Sequence, residues 1–202
     1  QVGIECQVYT SENNSWLFEF PSLPKGRFNS VCFVYRDSLY VFGGTDNSSN
    51  MNEIVRYDLS TQNSGEWTTI AKVNEANQRG GVAFVVEDKV YAGLGEKSNG
   101  IRNGFYVSSD SLTKWELIPS IPAQLGVISS GVYDEQKKSF FMIDNDGKIW
   151  EYNLTTEQWT SRSLWIRMKN YHMFMLDGSI YILGQDIYQK NKFTVYNPIW
   201  DN

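Results

Sequence analysis

Short runs of apolar residues recur along the chain between clusters of Gly, Asn, Asp and Ser, and none shows the repeat of about 3.6 residues that marks an amphipathic helix. The runs come in pairs. Val31 to Tyr35, Val82 to Val86 and Tyr171 to Leu176 each lead through a polar dipeptide (Arg36-Asp37, Glu87-Asp88, Asp177-Gly178) into a second apolar run bearing Tyr40, Tyr91 or Tyr181. Phe141 holds the same phase in a further run, Phe140 to Ile143. Little polar alternation interrupts these runs, so each pair predicts a hairpin covered on both faces.

A longer polar loop and two further runs complete each unit. The third run ends at Tyr57-Asp58, Tyr106, Tyr152-Asn153 or Tyr196-Asn197, and the fourth carries tryptophan. Trp16, Trp67, Trp115, Trp159 and Trp200 are spaced 51, 48, 44 and 41 residues apart. Three markers in one phase predict one repeated unit of four antiparallel strands, and four-stranded sheets recurring at about 40 to 50 residues predict an all-β propeller. A single domain spans 1–202, with a partial blade at 1–26 and blades at about 27–75, 76–122, 123–163 and 164–202. The strand count leaves two closures open. Either four blades form a ring in which the Trp16 strand completes the last blade, or the chain is part of a larger propeller.

An arginine just before the first strand (Arg27, Arg79, Arg167), the strand end Tyr40-Val41-Phe42-Gly43-Gly44, the Tyr57-Asp58 step and Trp67 together resemble the kelch repeat. The likeness is strongest over 27–70 and weakest over 126–160, where Asp144-Asn145-Asp146-Gly147 replaces the glycine pair. It implies a kelch-like β-propeller of about four blades of four antiparallel strands. It does not fix the function, since kelch propellers serve as binding scaffolds and as enzyme frames.

Composition narrows the chemistry. Charge is −5, from 18 basic and 23 acidic residues, with no basic stripe to suit nucleic acid. No apolar stretch reaches a membrane span, and Gln1-Val2-Gly3 opens the chain without the marks of a signal peptide. An acidic chain with scarce cysteine and many Asn, Ser and Thr suits a periplasmic, cell-surface or secreted protein. Sequons stand at Asn13, Asn47 and Asn153. Cys6 and Cys32 are expected to stay unpaired, with Cys32 a buried free thiol in its apolar strand. One histidine, His172, excludes a multi-histidine metal centre and the copper site of oxidases resembling galactose oxidase; it reads as part of a strand wall. Asp144 to Gly147 lacks the glutamate of a calcium loop and reads as a turn. No cofactor is expected. Trp67, Trp115 and Trp159 are expected to be largely buried packing residues.

Two loop sets are expected to share the face around the central channel. Arg27, Asn29, Arg79, Gln124, Arg167 and Asn170 precede the first strands; Asp46, Glu96 and Gln185 follow the second. Arginines in one phase would converge near the axis, where guanidinium forks suit carboxylates. The leading expectation is a noncatalytic recognition propeller binding a protein segment or glycan, anionic in character. The structural alternative gives each arginine to loop carbonyls and to ties between blades. Two other functions stand beside these: a carbohydrate enzyme resembling sialic-acid epimerases and mutarotases, and an accessory domain of a larger surface protein.

Overall fold

The computed structural model describes residues 6–97, 100–101, 104–109, 111–122, 130–144, 146–165, 168–186 and 188–197. A hairpin of β1 (Cys6–Thr10) and β2 (Ser15–Phe20) comes first. The first blade is a meander of β3 (Val31–Tyr35), β4 (Ser38–Phe42), β5 (Glu53–Asp58) and β6 (Thr68–Lys72). The second contains β7 (Val82–Val86) and β8 (Lys89–Gly93), then a loop hairpin of β9 (Glu96–Lys97) and β10 (Gly100–Ile101), then β11 (Phe105–Ser109) and β12 (Glu116–Leu117). The third is β13 (Gly131–Asp134), β14 (Ser139–Ile143), β15 (Lys148–Asn153) and β16 (Gln158–Trp165); the fourth has β17 (Lys169–Leu176), β18 (Ser179–Gln185) and β19 (Asn191–Tyr196). All pairings within the blades are antiparallel. Among the described residues helix is confined to two 3-10 segments, Leu59–Ser64 and Asn74–Ala76.

The first strands of the blades stand side by side, β3 against β7, β7 against β13 and β13 against β17, which makes them the inner wall of the propeller. Apolar side chains on both faces of each blade explain the arrangement, because only neighbouring blades can cover them. Phe33, Phe42 and Ile54 of the first blade meet Val90, Ala92 and Leu112 of the second. Phe84 and Phe105 of the second meet Phe140 and Met142 of the third, with Phe84 and Phe140 stacked at 4.4 Å. Phe141 and Ile143 of the third meet Tyr171, Met173 and Ile182 of the fourth.

Three expectations are corrected. The Trp16 strand does not complete the last blade: β2 pairs with β1, and the fourth blade has three strands among the described residues. The hairpin instead takes the outer half of a preceding blade. Trp67 donates its indole N–H to the Pro21 carbonyl just after β2, as Trp159 donates to the Pro119 carbonyl just after β12, so β2 stands to the first blade as β12 stands to the third. Trp67, Trp115 and Trp159 are partly buried, because they lie on or beside the outermost strands, with Trp67 and Trp159 against Tyr57 and Tyr152 and Trp115 against Phe42. The buried aromatics are those tyrosines, Tyr57 and Tyr152, with Phe42, Phe105, Phe140 and Phe141.

Cys32 is exposed rather than buried. Strand alternation sends Cys32 and Val34 to the face of β3 away from the second blade, and on that side the N-terminal hairpin segment covers the outer strands through Phe20 on Tyr57. A matching face is open at the other end of the chain. The Phe174–Tyr181 stack (5.2 Å, 9°) repeats the Phe33–Tyr40 stack (5.3 Å, 10°), yet Phe174 is 43% exposed where Phe33 is buried under the second blade.

Cys6 and Cys32 are not joined in a disulfide. One side of Cys32 is open, but the protein packed around its sulfur strips solvent from the thiolate and pushes the thiol up from its ordinary value of 9.0, with the nearby Cys6 acting the same way and Arg27 opposing. Maleimide labelling of Cys32 at neutral pH is therefore expected to run slower in the folded chain than in the unfolded one, and to rise steeply only at alkaline pH. A thiol pKa raised by folding contributes stability that is fully present below the unfolded pKa and lost as pH rises through the folded one. Labelling at the unfolded rate near pH 7 would contradict this environment.

Candidate functional site

The two loop sets do meet on one face. Isolated bridges join Phe28 to Thr45 in the first blade and Arg79 to Glu96 in the second, and Lys169 pairs with Gln185 in the fourth. In the first two blades a residue that precedes the inner strand pairs with one that follows the second strand, and in the fourth the first residue of β17 pairs with the last of β18. At this end of the inner wall, Ser30, Cys32, Gly81, Ala83, Ser130 and Gly131 line a cavity of about 230 Å3, the mouth of the channel.

The glycine pair at 43 and 44 makes this close approach possible. Gly43 has φ +62°, and its amide and that of Gly44 bond the Glu53 and Gln78 carbonyls. The Gly80 amide donates to the Asn29 carbonyl, and Asn50 Nδ2 to the Glu96 carbonyl, so the loops of neighbouring blades are stitched together chiefly by backbone groups.

Arg27 is locked inside the first blade. Its side chain is 1% exposed, donating to the Lys25 carbonyl (3.3 Å), the Gly43 carbonyl (3.1 Å) and Glu53 Oε2 (3.3 Å). Lys72 approaches the other Glu53 oxygen at 3.6 Å. A buried guanidinium so engaged is a structural tie, within one blade rather than between blades.

Arg79 is placed differently. Its Nε and Nη2 form a fork with Glu96 at 2.9 to 3.1 Å, but its side chain is 42% exposed and Nη1 has no partner among the described residues. Asn29 is exposed, in a left-handed turn with φ +52°. Gln185 is half-buried and lines a shallow cavity of about 450 Å3 with His172 and Lys192. Asn170 falls in the irregular pairing of β17 between Lys169 and His172. Gln124 and Arg167 lie outside the described residues. Arg27 and Arg79 therefore do not share one role.

Asp46 is a loop organiser. It pairs with Lys25 at 2.7 Å, and its Oδ1 accepts from the Ser48 and Ser49 amides and from the Ser48 hydroxyl. Those bonds, led by Lys25, hold its carboxyl far below the ordinary carboxylate range. Asp144 does the same work in the third blade, accepting from the Asp146 and Lys148 amides and from Trp150 Nε1, and Asp186 in the fourth, accepting from the Tyr188 and Lys190 amides. The Asp144 segment is thus a turn, with its carboxylate spent on protein donors. The recurrence of aspartate after the second strand at 46, 144 and 186 was visible in the sequence.

Among the described residues, no cluster of three or more His, Cys, Asp or Glu side chains is placed to hold a metal ion, and no helix is long and apolar enough to cross a membrane. A family model described as the Kelch motif matches residues 26–74, which are the first blade and the approach to it. No curated protein matches the chain. A solved structure titled "Structure of YjhT" superposes with a TM-score of 0.76 at 14% identity, covering 96% of this chain and 75% of that one, a likeness of fold. The chain folds as a β-propeller whose first blade carries the Kelch motif.

Proposed function

We propose that the chain is a noncatalytic recognition propeller whose loop face takes an anionic protein segment or a carboxylated glycan. A propeller of kelch type supports a binding domain in general. The finer reading rests on Arg79, whose guanidinium keeps one edge in its fork with Glu96 and the other, Nη1, unpaired at the surface. That edge can accept a second carboxylate without breaking the first pair, since a guanidinium offers five donors in one plane. The channel mouth beside it has room for one inserted side chain. On a chain of net charge −5, the open edge of Arg79 admits an acidic group where the net charge of the chain repels it. Arg27 contributes rigidity to the face and no contact.

Titration of the protein with an acidic peptide, a neutral peptide and N-acetylneuraminic acid tests the reading. Saturable binding of an anionic probe is expected, weakening as salt rises and protecting Cys32 at the channel mouth from maleimide. Failure of every anionic probe to bind, or equal binding of the neutral peptide, would overturn it.

A further inference from the structure

A second cavity, of about 280 Å3, lies between the second and third blades on the side away from the loop mouth. Lys89, just past the turn into β8, and Glu157, in the turn between β15 and β16, stand at its rim with Glu116. Ile118 and Leu154 form apolar walls, and the hydroxyls of Tyr91 and Tyr152 open onto the space.

Tyr91 and Tyr152 are 9% and 2% exposed, and among the described residues neither hydroxyl has a hydrogen-bond partner. Tyr40 shares this state, whereas Tyr35 donates to the Asp88 carbonyl, Tyr171 donates to the Ile143 carbonyl and Tyr57 accepts from the Gly65 amide. Neither the Tyr91 nor the Tyr152 hydroxyl is sealed from solvent, so water serves them in the free protein, and two phenol oxygens on one cavity can accept from a ligand that displaces that water. Among the described residues Glu116, Glu157 and Lys89 have no ion pair, which leaves two carboxylates against one ammonium around the opening.

We propose that this cavity binds the side chain of an arginine presented by a protein partner. The aliphatic stem fits between Ile118 and Leu154. The guanidinium donates to the two carboxylates and two phenol oxygens, and its flat face suits the tyrosine rings. The cavity is of a size for one side chain rather than for a large ligand. Burial raises the pKa of both tyrosines, Tyr152 to about 12, and the negative charge of Glu157 acts in the same direction on each, which places its field across both hydroxyls.

The test is a titration with N-acetyl-arginine amide, followed by the NMR shifts of the Tyr91 and Tyr152 rings, with N-acetyl-glutamate amide as control. The arginine probe is expected to shift both rings saturably and the glutamate probe to leave them unmoved. Glu157→Gln and Tyr152→Phe, each conservative in shape, are each expected to weaken the arginine probe about tenfold. No saturable shift with the arginine probe, equal shifts with both probes, or unchanged affinity in both folded variants would overturn the proposal.

Discussion

Phe140→Ala is expected to lower the unfolding free energy by about 3 to 5 kcal/mol, the range for deleting a buried aromatic ring. Phe140 is fully buried on the face of β14 that meets the second blade. It stacks on Phe84 at 4.4 Å and touches Tyr91 at 5.0 Å, Tyr133 at 5.3 Å and Phe105 at 5.8 Å. Removing the ring leaves a cavity walled by aromatics that are held by two different sheets and cannot collapse together. Chemical denaturation checks it through the shift in midpoint, and a cost below about 1 kcal/mol would mean that the two blades do not share this core.

Gly43→Ala is expected to cost about 2 to 4 kcal/mol, combining left-handed backbone strain with overpacking. Gly43 sits at φ +62°, and an added Cβ would lie 2.4 Å from the Ala76 carbonyl oxygen and 2.7 Å from that of Gln78. Both are backbone atoms of the segment that links the first blade to the second, so neither can swing away as a flexible side chain would. Gly178→Ala is the control. Its φ is +72° but nothing stands within 4 Å, so only the backbone share of the cost remains. Equal losses in the two variants would show that crowding at the blade junction plays no part.

The strands were largely legible because their code is local. Val31 to Tyr35 and Val82 to Val86 form strands with the bounds that their apolar runs predict, and the inner position follows from runs that are apolar on both faces. What depends on neighbours was not legible. Cys32 has the same alternating context as Phe33, and only the absence of a covering blade on its side makes it exposed. The tryptophans repeat as faithfully as the core tyrosines, but a repeat marks a position and not its depth. Arg27 and Arg79 share a phase in the sequence, yet their carboxylate partners come from different places, Glu53 on β5 for one and Glu96 in the loop after β8 for the other. That difference buries one and leaves the other open. The Tyr91–Tyr152 cavity was hidden for a similar reason, since its walls come from segments about 60 residues apart in a repeat of about 40 to 50.

The division between Arg27 and Arg79 is where the functional account is most exposed to test. Arg27→Lys and Arg79→Lys, each measured for Tm and for affinity toward the same acidic peptide, separate a tie from a contact, because lysine keeps the charge and loses the fork. The account predicts that Arg27→Lys lowers Tm and leaves affinity within about twofold, whereas Arg79→Lys leaves Tm nearly unchanged and weakens binding about tenfold. A fall in Tm for both variants with affinity intact would contradict it and leave both arginines as structural ties.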